Sequence, residues 1–134
     1  MKKNLSKQAG FTIIELMVVI VFLSALSAIA LINIRGIRAE NRDAERKGDI
    51  NAVFFQLETF HQTNGYYPEA FDAKTLKGID PAALKDTVGL TFNEDGSQYH
   101  YRARGCNETK CKSYELTADL EKEAPFIKQS LIQS

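Results

Sequence analysis

The chain has 134 residues, with 17 basic and 17 acidic side chains and two cysteines; this length suits one domain with a small core and is too short for a large enzyme. The formal charge is zero, and setting aside Lys2, Lys3 and Lys7 leaves 14 basic against 17 acidic residues. That mildly acidic balance gives no reason to expect general affinity for nucleic acid.

In chain order, the first ten residues carry three lysines and no acid. Residues 11 to 34 then hold a single ionisable side chain, Glu15, and nineteen uncharged residues separate it from Arg35. That is about the length of a bilayer-spanning helix. Basic residues ahead of an apolar run keep Met1 in the cytoplasm and send the C-terminal body outward. An ordinary secretory signal has a shorter apolar stretch with small residues after it. Here Ala9 and Gly10 come before it, so cleavage at that point removes residues 1–10 and leaves the membrane helix on the mature chain. Ser24, Ala25, Ser27, Ala28 and Ala30 permit close helix approach, and ordinary membrane-helix composition explains them equally well.

The apolar run ends without a turn signal, and no proline precedes Pro68. From Ile50 the apolar positions Val53, Phe54, Leu57 and Phe60, with His61, follow one stripe of a helix. Asn64-Gly65 is a left-handed stop with Pro68 beyond it. These features predict one helix over 12–63, about 78 Å long at 1.5 Å per residue. Its half over 11–34 is apolar all round, and its half over 35–64 is amphipathic. Between Arg35 and Lys47 both signs are mixed, which reads as a solvated or subunit-contacting stretch with i,i+4 pairs. A DNA-binding reading of Arg35, Arg38, Arg42 and Arg46 is the less favoured alternative.

Residues 65–134 read as a globular α+β head. Asp80-Pro81 starts a short helix ending near Gly89. Val88 to Phe92 is taken as a strand and Asn93-Glu94-Asp95-Gly96 as a turn. Gln98 to Arg104 and Ser113 to Leu120 alternate as two strands of an antiparallel meander. One face of that meander covers Ile50, Phe54, Leu57 and His61. Cys106 and Cys111 lie in the loop joining the last two strands. Because the membrane segment implies export, a disulfide is the default for them, with reduced or metal-bound thiols as alternatives. Their spacing is not the C-x-x-C of redox enzymes, and no nearby histidines complete a zinc site. His61 and His100 are explained by their helix and strand positions. Tyr66-Tyr67-Pro68 packs where the chain leaves the helix. Asn107-Glu108-Thr109 has the form of a glycosylation acceptor, which chance composition also produces.

Gly10-Phe11-Thr12-Ile13-Ile14-Glu15-Leu16 resembles the processing site of type IV prepilins and pseudopilins: a short basic leader ending in Gly, then Phe, with Glu four residues later. The resemblance covers residues 1 to about 68 and continues through Arg42-Asp43-Ala44-Glu45-Arg46-Lys47, Asp49-Ile50 and Asn64-Gly65-Tyr66-Tyr67-Pro68. It implies that a membrane prepilin peptidase cuts between Gly10 and Phe11 and methylates the new Phe11 amine. It further implies that Glu15 of one copy neutralises the Phe11 amine of the next. Family members commonly carry a proline near the end of the apolar half. This chain has Ile32 there, which leaves Gly36 as the weak point of the helix.

The function implied first is a structural subunit of a type IV pilus-like filament. Such a subunit is stored in membrane lipid, loaded by an assembly platform and packed as a helical homo-oligomer, with roles such as adhesion or twitching motility. Type IV pilins commonly close a C-terminal loop with a disulfide and secretion pseudopilins often lack one, which tilts the reading toward a pilus. The alternatives are a pseudopilin of a type II secretion or DNA-uptake system, and a minor tip subunit that binds surfaces or DNA. Some pseudopilins bind calcium where Asp119, Glu121 and Glu123 stand here. No Asp/Asn/Gly loop pattern accompanies those residues, and a solvated acidic stretch is the reading adopted. No enzyme activity, cofactor or metal is expected.

Overall fold

The computed structural model describes residues 10–132, so Lys2, Lys3 and Lys7 of the expected leader lie outside the described residues. The chain forms two compact units, one up to Ile37 and one from Arg38 onward. Helix α1, Ile13–Asn64, runs through both, Gly36 included, and matches the predicted helix to within one residue at each end. It stops as expected. Gly65 takes a φ of +81° and donates its N–H to the His61 carbonyl at 2.7 Å, a conformation that costs glycine little.

In the second unit the rest of the chain wraps α1 with five short strands. These are β1 (Tyr67–Pro68), β2 (Tyr99–Arg104), β3 (Lys110–Cys111), β4 (Ser113–Ala118) and β5 (Phe126–Gln129). Strands β2, β4 and β5 form one antiparallel sheet in that order, and β1 pairs with β3 in a second. Tyr101 faces Leu116 and Tyr99 faces Ala118 across the central pair. The alternation read from the sequence therefore puts Tyr99, Tyr101, Tyr114, Leu116 and Ala118 inside. They close on Ile50, Val53, Phe54 and Leu57 of α1, all buried, at about 1.5–3 kcal/mol for each large side chain removed from water. His61 is only half-buried and stacks on the Tyr67 ring with centroids 4.4 Å apart.

Three expectations change. Val88 to Phe92 is not a strand. Asp86 is buried, and its carboxylate accepts the N–H groups of Val88, Leu90 and Gln98 at 2.9–3.0 Å. Those donors are thereby withdrawn from any ladder, and the segment folds as a turn. The helix begun by Asp80-Pro81 is a 3₁₀ turn, Pro81–Leu84, capped by Asp80 accepting from the Ala82 N–H at 2.9 Å. It ends well before Gly89. The loop with Cys106 and Cys111 joins β2 to β4 rather than the last two strands, because β5 follows β4.

Candidate functional site

The residues expected to govern processing and assembly lie at the start of α1. Thr12 caps the helix: its hydroxyl accepts the Glu15 N–H at 3.3 Å and its carbonyl accepts the Leu16 N–H at 3.1 Å. Gly10 and Phe11 precede the helix and are exposed, Phe11 at 81%. Glu15 stands in the first turn, where a negative charge meets the positive end of the helix dipole. Its side chain is exposed, and among the described residues no cation pairs with it.

Every residue from Gly10 to Ile32 is exposed, including Ile13 at 82% and Ile32 at 74%. The helix is long and apolar enough here to cross a membrane, by length and composition. Ser24 and Ser27 add no loose polarity, since their hydroxyls donate back to the carbonyls of Ile20, Val21 and Leu23. A bare apolar surface of this extent requires lipid or other helices around it.

In the charged stretch of α1, Arg38, Glu40 and Glu45 stay exposed, but Asp43 and Arg46 are buried against the head. Arg46 is buried to 1% exposure. It holds Asp43 at 2.7 Å, Glu121 at 2.9 Å and the Thr87 hydroxyl at 3.0 Å. Arg42 grips the same Glu121 through two bonds of 2.7 and 2.6 Å, and Lys47 reaches Glu123 at 2.7 Å. Asp43 accepts the backbone N–H groups of Glu121 and Lys122 at 2.9 and 3.0 Å. Burial pushes the Asp43 carboxyl up, but those two amides and the Arg46 guanidinium outweigh it and hold the group below the usual range. Arg42, then Arg46, holds Glu121 down at about 2.

The arginine stripe of the DNA-binding alternative is therefore used up inside the head from Arg42 onward. The acidic stretch is exposed, as expected, and paired as well: Glu121 and Glu123 answer α1, and Asp119 faces His100 at 3.3 Å. Among the described residues no group of three acidic, histidine or cysteine side chains is placed to hold a metal ion.

A second buried carboxylate escaped sequence reading. Glu58 accepts the Tyr67 and Tyr114 hydroxyls at 2.9 and 2.8 Å and the Leu131 N–H at 3.2 Å. It thereby joins α1, β1, β4 and the C-terminal segment. Burial, then the Glu58 charge, pushes the Tyr67 hydroxyl up to about 12 and raises that of Tyr114 as well. The signal available in the sequence was an acid inside the apolar stripe, one residue after Leu57. Cys106 and Cys111 are disulfide-bonded. The bond closes the loop whose β3 end pairs Cys111 with Tyr67.

A family model for the prokaryotic N-terminal methylation motif matches residues 5–31. The chain is 31% identical over 111 residues to type II secretion system core protein G of Vibrio cholerae, which covers 77% of this chain and 76% of that protein. The chain belongs to the type II secretion system core protein G family. Proteins of the same description from Pseudomonas aeruginosa and Escherichia coli K12 are 31% and 28% identical, each over 67% of this chain. The matched segment spans only 62% and 61% of those two relatives. No solved structure matches. The family is type IV pilin-like, in keeping with the resemblance carried by residues 10–16, and its members are structural pseudopilins. The similarity thus falls with the secretion alternative rather than with the surface pilus. The disulfide that favoured a pilus joins residues five apart, a local staple that says little about the fibre its subunit enters.

Proposed function

We propose that this chain is a pseudopilin of a type II secretion machine, anchored in the cytoplasmic membrane by its apolar helix with the head outside. A prepilin peptidase cuts between Gly10 and Phe11 and methylates the Phe11 amine. An assembly platform then moves the subunit from lipid into a helical homo-oligomer. The observation that carries this reading is the exposed apolar helix over a methylation motif, headed by a Glu15 that pairs with no cation among the described residues.

The physics runs from the carboxylate. A charge in hydrocarbon costs about 2.5–3.5 kcal/mol on insertion scales. The amine freed at Phe11 is the nearest available positive charge, and Glu15 is best placed to meet that of a neighbouring copy. Assembly then replaces an unpaired acid by an ion pair and sets the stagger between helices, as a lone polar residue does in a coiled coil. The chain acts by packing and export, without chemistry of its own.

The test is replacement of Glu15 by Leu in cells carrying the secretion machinery. The variant is expected to insert and be processed, with a methylated Phe11 in mass spectra, yet to yield few sheared filaments and little secretion. Normal filament yield removes the role of Glu15, and an intact Met1 in the mature protein removes the processing step. A surface pilus is the second reading; abundant long fibres with secretion unaffected by deletion would favour it.

A further inference from the structure

Between the last turns of α1 and the loop over 72–77 the head holds an open groove of about 400 Å³, large enough for a small ligand or a stretch of peptide. Its apolar lining is Leu76, which is buried, and Phe60, partly buried against the core. Thr59, Thr63 and Thr75 supply three hydroxyls, and each has already committed its proton within the chain. Thr59 donates to the Phe55 carbonyl at 2.8 Å, Thr63 to the Thr59 carbonyl at 3.2 Å and Thr75 to the Asp72 carboxylate at 2.9 Å. A hydroxyl so committed keeps only its lone pairs, so toward the groove all three accept and none donates.

The cations of the groove are Lys74 and Lys77. Both are exposed, and among the described residues neither forms an ion pair. The nearest acid in the loop, Asp72, is occupied with the Lys74 and Thr75 N–H groups and the Thr75 hydroxyl. By contrast, Lys47 and Lys122 meet carboxylates of the chain itself, at 2.7 and 3.7 Å. An occupant of the groove must therefore offer hydrogen-bond donors to the hydroxyls, an anion to the lysines and an apolar group to Leu76 and Phe60.

We infer that this groove receives an extended, acidic segment of another polypeptide, one that alternates apolar residues with glutamate or aspartate. An extended main chain carries free N–H groups for the hydroxyls, and its successive side chains point to opposite sides. The apolar set then meets Leu76 and Phe60 while the carboxylates turn to the lysines in charge-assisted bonds. A second copy of this chain is a poor occupant. Its exposed acids outside ion pairs, Glu45, Glu69, Asp95 and Glu108 among them, lie in a helix, a bend and two turns. Its exposed strand β5 offers Ile127 beside Lys128, the wrong sign for this groove. The inference concerns the head alone and stands independently of the filament reading.

The experiment uses the full-length chain in detergent and a fluorescein-labelled peptide with blocked ends, Glu-Leu-Glu-Leu-Glu. Anisotropy should show saturable binding that weakens as salt is raised. Lys74→Ser combined with Lys77→Ser is expected to weaken it at least tenfold, and Thr59→Val, which keeps the shape but loses the acceptor, severalfold. Lys112→Ser, exposed on another loop, should leave binding unchanged. The same peptide N-methylated along its main chain should bind the wild-type protein at least tenfold more weakly, a readout that needs no variant to fold. Photoreactive benzoylphenylalanine at position 63 should cross-link to the peptide. Absence of saturable binding, indifference to the lysine pair or to N-methylation, or cross-links to another copy in place of the peptide would overturn the assignment. Saturable uptake of alginate, an acidic polysaccharide, in preference to the peptide would overturn a polypeptide as the occupant.

Discussion

Arg46 and Glu121 meet at 2.9 Å across 75 residues of chain, with the guanidinium buried and also holding Asp43 at 2.7 Å. Asp43 in turn takes the Glu121 and Lys122 backbone N–H groups, so one turn of α1 ties down the segment between β4 and β5 by charge and by main chain together. Removing one member of a buried ion pair strands the other, at about 3–5 kcal/mol. Arg46→Met is expected to destabilise the head by that amount in urea unfolding. Arg42→Ala, at an exposed pair with the same Glu121, should cost much less. Equal effects from both would show that burial of Arg46 contributes nothing.

The same cluster sets the acid limit of the fold. Glu121 is held at about 2, against 4.5 for a free glutamate, and Asp43 and Asp86 are also depressed. Carboxyls depressed in the folded state add stability above their unfolded values and lose it as pH falls through the folded ones. Thermal melts should therefore be flat near neutrality and fall steadily from about pH 4.5 toward 2. Tyr67 works in the opposite sense. Its hydroxyl is raised from 10 to about 12, so its contribution is intact below pH 10 and is lost as pH rises toward 12. A melting temperature that holds from neutrality to pH 2 would contradict the acid half of this account.

Glu58 offers a cleaner contrast. Leucine at that position fits the apolar stripe but leaves two phenol hydroxyls and the Leu131 N–H without their acceptor, at about 1–3 kcal/mol for each group that finds no water. Glu58→Gln keeps one acceptor oxygen and offers an amine that a phenol oxygen can accept from, so it should be milder. Proteolysis of the C-terminal segment in native buffer should accelerate in Glu58→Leu and much less in Glu58→Gln. Equal rates in the two variants would rule out the carboxylate as the anchor of that segment.

The disulfide is a smaller contributor. Closing so short a loop is worth about 2 kcal/mol in the chain-entropy account, and the β1–β3 pairing it supports is only two residues long. A Cys106→Ser, Cys111→Ser chain should still fold, with a lower urea midpoint and faster amide exchange at Lys110 and Cys111. Complete loss of the folded head would make the bond a condition of folding rather than a staple.

The comparison of chain and fold turns on which interactions are local. Helix α1 was readable end to end because its apolar run, its stripe from Ile50 to Phe60 and the Asn64-Gly65 stop are each written in neighbouring residues. Strands β2 and β4 were readable because tyrosines, leucine and alanine alternate over six residues each. Strands β1 and β3 are two residues long, too short for any period to show. Strand β5 buries little, and its Lys128 covers the Phe54 ring at 5.0 Å instead of pointing to water. Its signal is therefore the wrong polarity for a strand facing a core.

Residues 10–34 thus declared from their order alone a helix that water cannot hold by itself, because hydrophobicity and helical period are properties of neighbours. The destination of the charges was settled elsewhere. Arg42, Arg46 and Glu121 look like solvated side chains in one dimension, and only folding brings acid and base from distant parts of the chain to one place. Which charges of α1 are paired with the 119–123 segment is a consequence of three-dimensional packing, which no helical period records.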